Sequence, residues 1–333
     1  LNASLSGTTS NIIQLDSNYT GSDVTYNVKV EVSNVNNVQP LPFAVTNQIV
    51  SNNVPLFDFT RQLNTGTSDS ITTALAVSSD DSVYFSGDYT GTPSITKEDG
   101  TSVATLPNST GISSFVAKFT SSNTYSFSRV LNPGRNYSVA VSDTRVFFAG
   151  YYSGTSSVLG PGSLATLSRE NAGYVVALDT SGTYQWNILV DNVARCHSVI
   201  NSGYVGGYNR STGSSNVYDS TGSLVTKIPT SSGFFIKFNA STGVYTSNVT
   251  LASCNVYDVA SDSSNVYACG YKYTTSAIGT VLPATTGTAS FIAKYDSSNS
   301  FLFSAVLESS KGAISVTTYG SSVYLAGKCS SGA

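Results

Sequence analysis

Hydrophobic and polar residues alternate with a period of two in segment after segment of this chain, and no stretch carries the 3.6-residue period of a helix. Tyr184, Trp186, Ile188 and Val190 alternate with Gln185 and Asn187, and Phe301, Phe303, Ala305 and Leu307 follow the same rule. Tyr125, Phe127 and Leu131 stand beside Ser126 and Ser128, while Tyr245, Val249 and Leu251 have Ser247 among them. Successive strand side chains point to opposite faces, so each segment predicts an antiparallel strand covered on one side.

These strands recur. Apolar runs ending in glycine appear as VYFSG (Val83 to Gly87), VFFAG (Val146 to Gly150), GYVGG (ending at Gly207), VYACG (Val266 to Gly270) and VYLAG (Val323 to Gly327). Their glycines are 63, 57, 63 and 57 residues apart, which marks an internal repeat of about sixty residues. Between them fall FVAKF from Phe115, YVVAL from Tyr174, FFIKF from Phe234 and FIAKY from Phe291. Each is followed by a hairpin-type turn (TSSNT, DTSGT, NASTG, DSSNS) and then by one of the alternating strands. Small-residue segments precede the glycine runs: ALAV at Ala74, SVAV at Ser138 and AISV at Ala313, suited to a crowded inner strand.

The expected fold is therefore all-β: a β-propeller of four-stranded blades, each reading inner strand, Gly-ended strand, loop, AK-type strand, outer strand. Glu308 to Ala333 supplies two strands of a unit, and the stretch ending in Phe57, Phe59 and Leu63 resembles the last two. Joined, they would form a fifth, closing blade shared by the two ends and remove exposed sheet edges. The alternative is a chain whose further blades lie beyond residue 333. Residues 1–38, with the strand-like run Tyr26 to Val32, read as an extension or linker, and 39–333 as the propeller.

FVAKF, TSSNTYSFSRVL and VAVSDTRVFFAG together resemble the bacterial beta-propeller repeat (SBBP) family over residues 64–327. The segment Gly173 to Trp186 also resembles quinoprotein-type propeller repeats. The chain departs from the SBBP pattern where Ser114, Gly173, Gly233 and Ser290 replace the Asp before the AK-type strand, and at Leu131-Asn132. The resemblance implies a propeller in a secreted or surface protein and supplies no catalytic residues; no quinone ligand set is recognisable.

Charged residues make up 11%, against about 25% in ordinary soluble domains, and Ser, Thr, Asn, Gly and Tyr replace them. With 40% hydrophobic residues the composition argues against disorder, and the scarcity of Lys and Glu argues against a cytosolic enzyme. A net charge of −3 without a basic run disfavours nucleic acid and anionic membranes, and no apolar stretch reaches the ~20 residues of a membrane span. The chain lacks Met and a secretory apolar segment at its start, so it is expected to be a mature product or a piece of something longer. Four cysteines, Cys196, Cys254, Cys269 and Cys329, permit two disulfides, with Cys254–Cys269 favoured because one hairpin brings them near each other.

The single histidine, His197, adjoins Cys196 on an inner strand, where neighbours point to opposite faces, so a catalytic dyad is not expected. Asp80, Asp81, Asp143, Asp179, Asp262 and Asp296 read as turn formers, without a calcium-loop spacing or an evident carboxylate pair. Lys118, Lys237 and Lys294 recur at one repeat position, read as stems covering neighbouring blades rather than an anion-binding ring. Tyr89, Tyr151, Tyr152, Tyr208, Tyr271 and Tyr273 follow the Gly-ended strands and are candidates to bind sugars; inter-blade packing is the competing use. Sequons at Asn2, Asn18, Asn108, Asn136, Asn209, Asn239 and Asn248 make glycosylation feasible.

The expectation is a non-enzymatic structural or adhesion protein of the extracellular space, a cell surface or a virion, without cofactor or metal. Its expected partners are other surface proteins, copies of itself, or glycans. A propeller lectin is the alternative, and a hydrolase with a concealed site the third reading.

Overall fold

Recurring glycines and alternating strands assemble into antiparallel sheets, each one repeat long. The computed structural model describes residues 62–64, 70–96, 101–160, 162–308, 310–320 and 322–329. The proposed extension 1–38 and the stretch 43–61 of the closing blade lie outside the described residues.

The short strand β1 (Gln62–Asn64) precedes blade I, which comprises β2 (Ser70–Val77), β3 (Val83–Gly91), β6 (Ser109–Phe119) and β7 (Tyr125–Asn132), with hairpin β4 (Ser94–Thr96) and β5 (Ser102–Thr105) inserted. Blade II is β8 (Arg135–Val141), β9 (Arg145–Tyr151), β12 (Gly173–Asp179) and β13 (Tyr184–Val190), with hairpin β10 (Ser157–Gly160) and β11 (Gly162–Thr166). Blade III is β14 (Arg195–Ile200), β15 (Tyr204–Tyr208), β18 (Ser232–Phe238) and β19 (Tyr245–Ala252), with hairpin β16 (Ser215–Tyr218) and β17 (Leu224–Ile228). Blade IV is β20 (Cys254–Ser261), β21 (Asn265–Lys272), β22 (Ala289–Asp296) and β23 (Phe301–Glu308), and β24 (Ser310–Tyr319) with β25 (Ser322–Cys329) begins a fifth. Successive four-stranded sheets whose first strands neighbour one another in chain order make this a β-propeller.

The hairpins are an addition to the expected four strands. β10 pairs with β7, and β16 pairs with β13, so these two hairpins extend the sheet of the preceding blade to six strands, while β4 pairs with β1.

The repeated glycine has a steric cause. Every inner strand carries a β-bulge, at Thr73, Tyr137, His197, Tyr257 and Ile314, and the residue before it pairs with the glycine of the second strand. A Cβ at Gly150 would lie 1.8 Å from the Arg135 carbonyl oxygen, and one at Gly270 1.9 Å from that of Asn255. Only glycine lets the bulged strand come so near.

The core lies between blades. Tyr84, Val116 and Phe127 of blade I meet Val139, Phe148 and Val176 of blade II. Phe147, Val175 and Trp186 meet Val199, Val205 and Phe234, and Tyr204 and Phe235 meet Val259, Ala268 and Phe291. Ala313 and Val316 of β24 close on Tyr267 and Cys269. Each fully buried aromatic or aliphatic side chain contributes about 1.5–3 kcal/mol.

Candidate functional site

The bulges turn one residue per inner strand out of its sheet's alternation, and three of these are aromatic. The His197 ring stacks on Tyr137 at 4.4 Å and on Tyr208 at 4.9 Å, and meets Tyr257 at 5.4 Å with a tilt of 68°. The Arg195 guanidinium lies 5.5 Å from the Tyr151 ring centre. Burial, reinforced by Arg195, pulls the imidazole pKa down to about 4, so His197 is neutral at physiological pH. Its Nε2 is buried and bonds to no described residue.

Along the inner strands runs a second feature, a cavity of about 350 Å³ lined by Ser138, Ser198, Asn201, Asp258, Ser315 and Thr318 among others. Its polar side chains link the blades. The Val199 amide donates to Ser138 Oγ at 3.1 Å, that of Val259 to Ser198 Oγ at 3.3 Å, and that of Val316 to Asp258 Oδ2 at 2.8 Å. Ser198 Oγ and Ser315 Oγ also donate to Asp258, at 2.5 and 2.8 Å. The inner strands β8, β14 and β20 thus each satisfy an edge amide of the next.

Register sorts the candidate tyrosines. Tyr151, Tyr208 and Tyr271 share one repeat position, half-exposed or at the aromatic stack, which Asp88 fills in blade I. Tyr89 and Tyr152, one residue further, point the other way and are buried; their hydroxyls donate to the carbonyls of Pro107 and Arg169 at 3.0 and 2.7 Å. Asn209 and Lys272 fill that buried position in blades III and IV, and Lys272 Nζ donates to Thr285 Oγ1 at 3.0 Å. Tyr273 is exposed, its hydroxyl on the Ser231 carbonyl. Tyr89 and Tyr152 therefore have no face to offer a ligand. Tyr137 and Tyr257 belong with the remaining set, although nothing short of the bulge would have revealed them.

Two further expectations are corrected. Cys196, Cys254 and Cys269 are free and buried. Cys254 pairs with Lys272 whereas Cys269 pairs with Asp258, four residues along, roughly 10 Å at strand spacing and beyond disulfide reach. Burial drives the Cys254 thiol up to about 12 and those of Cys196 and Cys269 higher, so none is a thiolate nucleophile. The Cys329 side chain lies outside the described residues. Of the sequons, Asn136 and Asn209 are buried: Asn136 Oδ1 accepts from Ser86 Oγ at 2.7 Å, and Asn209 Nδ2 donates to the carbonyls of Gly213, Ile228 and Pro229. Asn108 and Asn239 are exposed and Asn248 half-buried.

Acidic residues hold turns and junctions. Asp179 Oδ1 accepts from the amides of Ser181 and Thr183, Asp296 Oδ1 from those of Ser298 and Ser300, and Asp262 Oδ1 from those of Ser264 and Asn265. Burial opposes ionisation of Asp262, but these bonds prevail and hold it near 2. Asp80 also sits near 2, held by Ser78 and Ser82, and Asp143 accepts from Ser79 Oγ. Asp88 goes the other way: burial raises it to about 6, against the Asn136 amide at 2.6 Å and Arg135 at 4.0 Å. Two of the recurring lysines, Lys118 and Lys237, reach the next blade as expected, whereas Lys294 covers rings of its own blade. Lys118 Nζ donates to the Thr180 carbonyl and lies over Tyr84, and Lys237 Nζ donates to that of Ser297 and lies over Tyr204. Lys294 lies over Tyr267. Among the described residues no cluster of three His, Cys, Asp or Glu side chains is arranged to hold a metal ion, and no helix is long and apolar enough to cross a membrane.

No family model matches this chain, and no curated protein matches it. Among solved structures it is similar to the Pan2 WD40 domain of Neurospora crassa at 13% identity, with a TM-score of 0.34, covering 74% of this chain and 69% of that one. It is also similar to a protein of unknown function from Bacteroides caccae at 10% identity, TM-score 0.21, covering 66% of this chain and 90% of that one.

Proposed function

We propose that this propeller acts through its surface, as a building or attachment element outside the cell, on a cell surface or on a virion, rather than by turnover. One observation carries the reading: side chains with catalytic potential are spent on the fold. The histidine is stacked among tyrosines, three cysteines are buried in the core, and the carboxylates named above hold turn backbones or join blades. What remains outside is a polar coat of few charges, whose docking depends little on salt. Other surface proteins, or further copies of the chain, are the partners such a coat suits. In architecture the repeat belongs with the SBBP-type propellers. Purified chain should show self-association or binding to its host surface and no hydrolysis across a broad substrate panel. Turnover at about 1 s⁻¹ or faster would overturn the reading.

A lectin is the second reading, favoured by the half-exposed tyrosines Tyr137, Tyr151, Tyr257 and Tyr271, of which Tyr137 and Tyr257 meet His197. Tyrosine faces stack on sugar rings while hydroxyls bond to theirs. A glycan array decides it: retention of any glycan that is lost in Tyr151→Ala with Tyr271→Ala supports the lectin, and an empty array removes it.

A further inference from the structure

Blades II, III and IV repeat one arrangement at the start of their inner strands. The residue two places before each bulge pairs with the residue after the repeat glycine: Arg135 with Tyr151, Arg195 with Tyr208, and Asn255 with Tyr271. The bulge residues are Tyr137, His197 and Tyr257, and the ring contacts of His197 tie the three blades into one cluster. Blade I breaks the series with Ile71, Thr73 and Asp88.

This cluster leaves one positive charge unmatched. Arg135 has Asp88 at 4.0 Å. Arg195, in the middle blade, is half-buried and lies over the Tyr151 ring, and no described carboxylate forms an ion pair with it. Its Nε is buried without a hydrogen-bond partner, and so is Nε2 of His197 two residues on. A desolvated guanidinium nitrogen left unpaired is costly, and its planar fork matches a carboxylate. Two orphaned nitrogens at one place point to a polar group that arrives with a ligand. Beside them Tyr137, Tyr151 and Tyr257 are only half-buried, and tyrosine faces stack on sugar rings.

We infer that this cluster binds a carboxylated sugar, its acid group paired with Arg195 and its ring laid on the tyrosines; the inference rests on the lectin reading and names its ligand class. A neutral sugar would leave the guanidinium unmatched. Nucleic acid, a dense polyanion, would be repelled by a chain of net charge −3. A sugar hydroxyl donates or accepts, so it suits Nε2 of His197 in either tautomer of the neutral ring.

The test uses the full chain on an array of uronate- and sialate-containing oligosaccharides, printed beside the same compounds with methyl-esterified carboxyls and beside Glu-rich peptides. Free acids are expected to bind, and esterification or Arg195→Gln is expected to weaken binding about tenfold or more. Arg169→Gln, which removes a guanidinium lying over Tyr218 of the blade III hairpin, is the charge control and should bind as the native chain does. Unchanged urea midpoints show that the variants fold. His197 is the only histidine, so its single imidazole resonance should shift as the acid form is titrated in. Esters that bind as well as acids would overturn the inference and leave the lectin reading standing, whereas an array without retention removes both. Glu-rich peptides held as tightly as the sugars, or binding that leaves the His197 resonance in place, would also overturn it.

Discussion

The rings of Tyr137 and His197 lie 4.4 Å apart and within 1° of parallel, although they belong to different blades. A stack this close requires both inner strands to bulge at the same repeat position, and it fixes the imidazole in a neutral, desolvated state.

That state predicts a pH response. Folded His197 takes up its proton only near pH 4, against 6.5 for an ordinary exposed imidazole, so the unfolded chain binds more protons between them and stability falls as pH drops through this window. Asp88 has the opposite sign. Its folded value of about 6 exceeds 3.8, so the folded chain binds the proton first and gains stability over nearly the same range. Each contributes on the order of 1–3 kcal/mol, and they largely offset. Urea midpoints at pH 7 and 4.5 should therefore differ little for the native chain. Asp88→Asn should lose stability on acidification and His197→Phe should gain it; parallel behaviour of the two variants would contradict the assignment.

Gly150→Ala should cost about 3 kcal/mol or more, because its Cβ would meet the Arg135 carbonyl at 1.8 Å and the bulged strand would have to move. Gly111→Ala, with open space around the added carbon, should stay within about 0.5–1 kcal/mol. Equal urea midpoints for the two variants would remove the steric account of the repeat glycine.

Asp258→Ala strips the Val316 amide and the Ser198 and Ser315 hydroxyls of their acceptor. A loss of about 2–3 kcal/mol is expected, with faster amide exchange at Val316. Asp143→Ala, at an exposed turn, serves as the control and should change stability by about 0.5 kcal/mol at most. Unchanged exchange at Val316 would show that the blades do not depend on this carboxylate.

Expression in a glycosylating host should modify Asn239 or Asn108 and leave Asn136 and Asn209 bare, because the latter amides are buried and hydrogen-bonded. Glycopeptide mapping reads this directly. A glycan on Asn136 or Asn209 would be incompatible with the folded blades.

Blade order and the inner position of the small-residue strands were legible because Gly87, Gly150, Gly207 and Gly270 answer to one local clash repeated four times. The hairpins were not: Ser157–Gly160 and Ser215–Tyr218 are four residues long and pair with the preceding repeat, a relation no local period encodes. The site was half legible. Tyr151 and Tyr152 are adjacent, and only the register decides which faces the core. Cys254 and Cys269 do share a hairpin, but a bulge and an offset of four residues separate them. Ser114, Gly173, Gly233 and Ser290, which depart from the SBBP pattern, pair with Asp88, Tyr151, Tyr208 and Tyr271. A Cβ on Gly173 or Gly233 would come within 2.9 Å of the next inner strand's backbone, so a larger Asp has no room there.

Hairpin β10–β11 grows from blade II yet completes the sheet of blade I, and β16–β17 does the same one blade on. The blades therefore overlap like roof tiles, and the unit of sequence is not the unit of melting. Peeling β7 from its neighbours means first lifting a piece of the following repeat, so partial unfolding of one blade frays the next. Excising one sixty-residue repeat would leave one sheet without its covering strands and graft another's in their place. Such a deletion is tolerated only if the tiles on either side are interchangeable.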